Sequence, residues 1–158
     1  MKYYKAKSAD IVGDVRLSNN CSVFYNAVIR ADHYPIEIGE NTNIQDLCCL
    51  HTGTHEPVKI GKNVTIGHGA IVHGCEIGDN VLIGMGATVM NGCKIGDYSI
   101  IGAGALVTEN TVVPEGSVLM GMPAKIKREV TEHEKAYSFE HASQYVDIAA
   151  GQLDEIEI

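Results

Sequence analysis

Aliphatic residues recur at every sixth position along most of the chain. An α-helix would place them three or four residues apart and a simple amphipathic strand two apart, so neither element explains the spacing. A β-solenoid does, because each six-residue segment supplies one short strand with one inward side chain. The runs are Ile11, Leu17, Val23, Ile29; Ile38, Ile44, Leu50; Ile60, Ile66, Val72; and, after a one-residue slip, Ile77, Ile83, Val89, Ile95, Ile101, Val107, Val113, Leu119.

A second period, of 18 residues, relates whole segments. Residues 73–79 (HGCEIGD) match residues 91–97 (NGCKIGD), and residues 83–87 (IGMGA) match residues 101–105 (IGAGA). Eighteen residues are three hexapeptides, so each coil has three sides, and equivalent residues stack about 4.8 Å apart. The 18 inward positions divided by three give six coils. The sequence therefore predicts an all-β solenoid of about six three-sided coils over residues 1–126.

The repeat is interrupted twice and then stops. Ile29 and Ile38 are nine residues apart, and Leu50 and Ile60 are ten apart, which predicts inserted loops at residues 31–37 and 52–59. Inserted loops on a rigid scaffold often carry function.

The repeat stops after Pro123, and we expect a helix to begin there. Thr131 and Glu134 resemble a capping box. Residues 127–158 are therefore predicted to form a C-terminal α-helix and a loose tail that pack on the same domain, with one helix face made by Tyr137, His141, Tyr145 and Ile148.

Composition narrows the possible partners. The formal net charge of −8 works against binding to nucleic acid or anionic membranes, and no stretch approaches the about 20 apolar residues of a membrane span. The N-terminus lacks the apolar segment of a signal peptide, so we expect a cytoplasmic protein acting on a small-molecule substrate. The five cysteines include no C-x-x-C pair, and Cys48 and Cys49 are predicted to point to opposite faces of a strand.

Two histidines are predicted to stack on one side of the solenoid. Leu50 and Val72 lie three repeat steps apart, so His51 and His73, which follow them, project outward from one side on adjacent coils. Two imidazoles at that separation suit a zinc ion bound at about 2.1 Å. His68 lies near the next corner and points away from both, so it is a candidate ligand across a subunit boundary.

The 18-residue period alone would select a different partner for His73, because the residue 18 positions earlier is His55. The insertion after His51 shifts the register, so His55 and His33 are expected in the loops, exposed or active in proton transfer. The same counting places Arg30 in the column of His51 and His73, with Asp32 following it in the loop. It also places Asp46 in the column of His68, where the Asp46 carboxylate would orient the His68 ring.

Four groups of residues form a combined motif: Arg30-Ala31-Asp32, Asn43-Ile44-Gln45-Asp46 followed by His51, Gly67-His68 followed by His73, and Gly121-Met122-Pro123-Ala124-Lys125. Over about residues 8–135 the chain resembles the gamma-class carbonic anhydrases. The resemblance implies a left-handed parallel β-helix and a homotrimer with metal sites at its subunit interfaces. It further implies reversible hydration of carbon dioxide to bicarbonate by a metal-bound hydroxide.

The resemblance also implies roles for the site residues. His51 and His73 of one protomer and His68 of its neighbour would bind zinc, or the Fe²⁺ or Co²⁺ that histidine nitrogens also suit. Arg30 and Asp32 would tie the subunits together. Gln45 would hydrogen-bond the hydroxide, and Asn43 and Asp46 would support the site. His33 stands where the best-known form of the family has a proton-shuttling glutamate.

Other functions fit the same repeat. Acyltransferases built from hexapeptides share the prism, the trimer and a G-x-P-A-K exit, and act on coenzyme A thioesters. A thioesterase that uses the same metal hydroxide and a non-catalytic metal-binding trimer are further alternatives.

Overall fold

The computed structural model describes residues 3–151, which form 18 strands and one helix. Most strands are two or three residues long, as a hexapeptide coil requires. The elements are β1 (Tyr3–Lys5), β2 (Asp10–Leu17), β3 (Cys21–Val23), β4 (Val28–Ile38), β5 (Asn43–Ile44), β6 (Cys49–His51), β7 (Val58–Ile60), β8 (Thr65–Ile66), β9 (Ile71–His73), β10 (Glu76–Ile77), β11 (Leu82–Ile83), β12 (Thr88–Val89), β13 (Lys94–Ile95), β14 (Ile100–Ile101), β15 (Leu106–Val107), β16 (Val112–Val113), β17 (Ser117–Gly121), β18 (Ala124–Glu129) and α1 (Glu132–Gly151).

The strands stack in parallel on three faces of a prism. The first face contains β1, β3, β5, β8, β11, β14 and β17, hydrogen-bonded in that order. The second contains β4, β6, β9, β12 and β15, and the third contains β4, β7, β10, β13 and β16. The long strand β4 belongs to both faces because it continues around the corner between them. The fold is a left-handed parallel β-helix of about six coils with one C-terminal helix, as the sequence predicts.

The predicted inward aliphatic residues fill the prism. All of them are buried except Ile11 and Leu17, which are half-buried in the first coil. Burial of a Val, Leu or Ile side chain contributes about 1.5–3 kcal/mol, so the stack supplies stability that two-residue strands lack individually.

One corner of the prism is held by a ladder of asparagines. Asn20, Asn41, Asn63 and Asn80 each adopt a positive φ near 55–59°, a conformation that asparagine tolerates better than most residues. The side-chain amides of the first three each donate to the carbonyl oxygen of the next asparagine along the prism, at 3.1, 3.0 and 3.0 Å. The ladder therefore satisfies the polar groups of a corner that lies next to the apolar core.

The first predicted insertion is not a loop. Residues 31–37 lie within β4, which pairs in parallel with β2 through a register shift between Gly13 and Val15. The inserted residues lengthen β4 instead of forming a loop, because β2 supplies backbone partners on both sides of the corner. The second insertion is an irregular segment at residues 52–57, and β7 begins at Val58.

The expectation that a helix begins directly after Pro123 is wrong. Ala124–Glu129 forms β18, which pairs antiparallel with β17 and extends the first face. The boundary predicted at residue 126 therefore falls inside a strand, and the predicted tail, residues 152–158, lies outside the described residues. The returning strand carries no six-residue period, since it runs against the direction of the repeat.

Helix α1 begins with the predicted capping box. The Thr131 hydroxyl accepts a hydrogen bond from the Glu134 backbone N–H at 3.2 Å, and the Glu134 carboxylate accepts one from the Thr131 N–H at 2.9 Å. The buried positions of the helix are Ser138, Ala142 and Ala149, one position away from the predicted face. Small residues at these positions let the helix lie close to the first face. Within the described residues no helix is both long and apolar enough to cross a membrane.

Candidate metal centre

His51 and His73 stand side by side on the second face. They are cross-strand partners in β6 and β9, and Arg30 in β4 is the next partner in the same column. His51 Nδ1 and His73 Nε2 are 2.9 Å apart, and the two ring centroids are 4.9 Å apart. The predicted stacking of the three side chains is therefore present, and one nitrogen of each imidazole faces the other ring.

Asp32 connects Arg30 to this pair. Its carboxylate forms an ion pair with the Arg30 guanidinium, and Oδ2 lies 2.8 Å from His51 Nε2. The hydrogen bond from His51, followed by the charges of Arg30 and His33, lowers the pKa of Asp32. Asp32 therefore remains a carboxylate and holds the outer nitrogen of the His51 ring.

Asn91 holds the other ring and was missed by the sequence analysis. Asn91 Oδ1 lies 2.5 Å from His73 Nδ1, which leaves His73 Nε2 to face His51. The missed signal is the 18-residue match between His73-Gly74-Cys75 and Asn91-Gly92-Cys93, because a residue one coil further on lies against its equivalent. A hydrogen bond of this kind fixes the orientation of a metal-binding histidine.

A second group of predicted residues lies at the end of the first face. His68 Nδ1 is 2.8 Å from Asp46 Oδ2, so Asp46 contacts His68 as expected. Gln45 Oε1 accepts a hydrogen bond from the His68 backbone N–H at 3.2 Å, and Gln45 Nε2 donates to Asn43 Oδ1 at 3.1 Å. Asn43 and Gln45 are buried, whereas His68 is exposed.

The predicted site residues thus form two groups in one protomer. One group surrounds His51 and His73, and the other surrounds His68. In the described part of the chain, residues 3–151, no three His, Cys, Asp or Glu side chains cluster in a way that would hold a metal ion. His68 therefore does not complete the His51 and His73 pair from within the same protomer.

The remaining predicted histidines lie outside both groups. His33 is exposed within β4, where its charge adds to the lowering of the Asp32 pKa. His55 is exposed in the segment at residues 52–57. Cys48 is buried and Cys49 exposed, on opposite faces as predicted. Burial raises the pKa of Cys48 to about 11, so this thiol is a poor nucleophile near neutral pH.

A groove of about 410 Å³ separates α1 from the first face beside the second group. Gln45 and His68 line one wall, and Tyr137, His141 and Tyr145 of α1 line the other. Burial lowers the pKa of His141, and the positive charge of His68 lowers it further. The helix therefore contributes polar side chains to the surroundings of His68 as well as packing against the prism.

The fold and these side chains define a class: hexapeptide-repeat β-helix proteins with paired surface histidines. The family described as "Bacterial transferase hexapeptide (six repeats)" matches residues 57–89 and 74–109. The chain is 53% identical over 144 residues to a protein of Methanocaldococcus jannaschii named "Probable carbonic anhydrase", covering 91% of each. It is 39% identical to "Gamma carbonic anhydrase 2, mitochondrial" of Arabidopsis thaliana, covering 92% of this chain but 55% of the plant protein.

Solved structures agree with the fold. A hexapeptide transferase family protein from Anaplasma phagocytophilum superposes with a TM-score of 0.90 at 40% identity, covering 95% of this chain and 89% of that one. Together with the sequence relatives, these likenesses show that the chain belongs to the gamma-class carbonic anhydrase family.

Proposed function

We propose that this protein is a metal-dependent carbonic anhydrase that catalyses the reversible hydration of carbon dioxide to bicarbonate. The observation that supports it most strongly is the pair of His51 and His73, whose facing nitrogens are 2.9 Å apart. Each ring is held from its far side by a hydrogen-bonding partner, Asp32 or Asn91. The pair occurs in a chain 53% identical to a "Probable carbonic anhydrase".

The paired imidazoles fit a zinc ion, with Fe²⁺ or Co²⁺ as alternatives. Tetrahedral zinc bound at about 2.1 Å separates two nitrogens by roughly 3.4 Å, so the rings need to part by only about 0.5 Å. The third ligand in this proposal is His68 of the neighbouring protomer in a homotrimer. When bound, the metal supplies a Lewis acid that makes a water molecule nucleophilic near neutral pH.

The surrounding residues orient the participants. Asp32 and Asn91 fix the two imidazoles, and Arg30 holds Asp32 and helps to join the protomers. Gln45 donates a hydrogen bond to the reacting oxygen, and Asn43 and Asp46 position Gln45 and His68. His33 would accept a proton from the site and pass it to buffer, since a neutral imidazole can take up a proton and the imidazolium can release it.

The decisive experiment is complementation between two inactive variants. His73→Ala and His68→Ala should each lack bound metal and carbon dioxide hydration. In mixed trimers, an intact site forms where a His68→Ala protomer supplies His51 and His73 and its neighbour supplies His68. Random mixing at equal amounts makes this happen with a probability of one half times one half, so about a quarter of the wild-type activity should return.

Metal content and hydration rate are measured together in this experiment. A mixture of His73→Ala with His133→Ala, which alters an exposed helix histidine outside the site, is the reference. Each His133→Ala protomer supplies His51 and His73 and either kind of neighbour supplies His68, so half of the wild-type activity is expected whether or not the protomers exchange. If the His68→Ala and His73→Ala mixture remains without activity, the intersubunit site is wrong. If the metal-loaded wild-type protein hydrates carbon dioxide no faster than buffer, the enzymatic proposal fails.

Acyl transfer is the second candidate, because the superposed Anaplasma protein is named a hexapeptide transferase family protein. An acyltransferase would turn over acetyl-coenzyme A after its metal has been removed by a chelator. A metal-dependent thioesterase would instead lose thioester hydrolysis with the metal. A non-catalytic trimer would bind the metal and show neither activity.

A further inference from the structure

A line of hydrogen bonds crosses from the end of the first face to helix α1. The His68 backbone N–H faces Gln45 Oε1 at 3.2 Å, and Gln45 Nε2 faces Asn43 Oδ1 at 3.1 Å. Asn43 Nδ2 faces Thr65 Oγ1 at 2.9 Å, and Thr65 Oγ1 faces His141 Nδ1 at 3.2 Å. Four bonds thus connect the backbone of His68 to a side chain 73 residues further along.

Chemistry fixes the direction of the first three bonds in this line. The His68 backbone N–H can only donate, so the Gln45 atom that faces it is the carbonyl oxygen. The amino group of Gln45 then faces Asn43, which must present its own carbonyl oxygen. The amino group of Asn43 therefore faces Thr65, and it also lies 3.4 Å from the Val64 carbonyl oxygen, which can only accept. Both backbone groups impose the same direction.

The last bond determines the protonation of His141. Thr65 is buried, and its oxygen already accepts from Asn43, so its hydroxyl hydrogen needs an acceptor. Among residues 3–151, His141 Nδ1 is the acceptor that faces it. Nδ1 must therefore carry a lone pair, which places the ring proton on Nε2 and leaves the imidazole neutral.

The surroundings of His141 favour the neutral ring. The ring stacks on Tyr137, with centroids 5.4 Å apart, and meets the edge of Tyr145 at 5.2 Å. Burial lowers its pKa, and the positive charge of His68 acts in the same direction. In the described chain His141 Nε2 has no protein partner, so its hydrogen is available to a water or ligand in the groove.

We propose that His141 is a positioning residue that holds the Gln45 amide through Thr65 and Asn43. By accepting the Thr65 hydroxyl hydrogen, it leaves the Thr65 oxygen free to accept from Asn43. Gln45 then keeps one amino hydrogen for the reacting oxygen near His68. The proposal deepens the proposed function and rests on it only for the role of Gln45. Under this proposal helix α1 helps to position a site residue, in addition to packing against the prism and capping it.

A matched pair of variants tests the proposal. His141→Asn retains a side-chain oxygen where Nδ1 lies, and His141→Leu has nearly the same shape as asparagine without an acceptor. We expect His141→Leu to lower kcat by about fivefold, the effect of losing one ordinary hydrogen bond, while His141→Asn stays within about twofold of wild type. His133→Leu removes an exposed histidine from the same helix and serves as the control. Equal activity of the Leu and Asn variants would overturn the proposal.

A second readout is independent of metal and activity. Nitrogen-15 NMR of histidine-labelled protein at pH 7.5, with the His141 signals assigned by their loss in His141→Asn, should show a protonated Nε2 and an unprotonated Nδ1. A protonated Nδ1, in either the other tautomer or the imidazolium, contradicts the proposal. The expected tautomer supports the chain of bonds even if the wild-type protein hydrates no carbon dioxide, in which case only the proposed function fails.

Discussion

Two columns of polar side chains stand on neighbouring faces of one prism, and they differ in chemistry. The column on the second face contains Arg30, His51 and His73. The two histidine rings converge, and Asp32 and Asn91 hold them by hydrogen bonds. The column on the third face alternates in charge from coil to coil. Its members, in order along the prism, are Arg16, Glu37, Lys59, Glu76 and Lys94.

The third-face column makes few contacts. Arg16 pairs with Glu37 at 2.9 Å, but the side chains of Lys59, Glu76 and Lys94 form no hydrogen bond or ion pair with other described residues. Its alternation places opposite charges about 4.8 Å apart along the stack and keeps the face solvated. The stacking of polar side chains on adjacent coils is therefore not sufficient to form a binding site. The second face is distinguished by two imidazoles that converge, each held by a further residue.

The largest contrast is expected from removing one residue of each column. His73→Ala should abolish metal retention and lower the hydration rate by about a hundredfold or more, because the remaining imidazole lacks its partner. Lys59→Ala on the third face should leave both unchanged. Metal analysis after dialysis and stopped-flow hydration assays measure the two quantities. Comparable losses in the two variants would remove the distinction between the columns.

The position of the histidine column was predictable because it depends on the repeat alone. Leu50 and Val72 each occupy one inward position per coil, so the residues after them had to share a face. Asn91 and β18 were not predicted, for different reasons. The 18-residue match places Asn91 one coil beyond His73, but the period does not reveal that the two side chains are hydrogen-bonded. Ala124–Glu129 pairs by an antiparallel return that a six-residue period does not encode. His68 was predictable only as a residue that points away from the pair.

A smaller effect is expected from releasing a ring without removing it. Asn91→Leu preserves volume but removes the oxygen that faces His73 Nδ1, so the ring loses its fixed orientation. Loss of such an outer partner typically costs about 10- to 100-fold in metal affinity. Asn91→Asp keeps an acceptor and should bind metal within a few-fold of wild type. Competition with a zinc chelator measures both affinities, and equal affinities for the Leu and Asp variants would show that Asn91 does not orient the ring.

The smallest effect is expected on the third face, where Glu76→Lys puts three positive charges on consecutive coils. Cross-strand like charges at an exposed surface cost about 0.2–1 kcal/mol, and the penalty should shrink in about 1 M salt because the Debye length falls to about 3 Å. Glu140→Lys, which makes the same change in charge on the exposed surface of α1, is the control. Urea unfolding at low and high salt measures the difference, while metal affinity should not change. Glu76 differs from Glu140 in having charged neighbours on the adjacent coils. A loss of stability that does not depend on salt, or that equals the loss in Glu140→Lys, would therefore mean that the alternation of charge does not stabilise the fold.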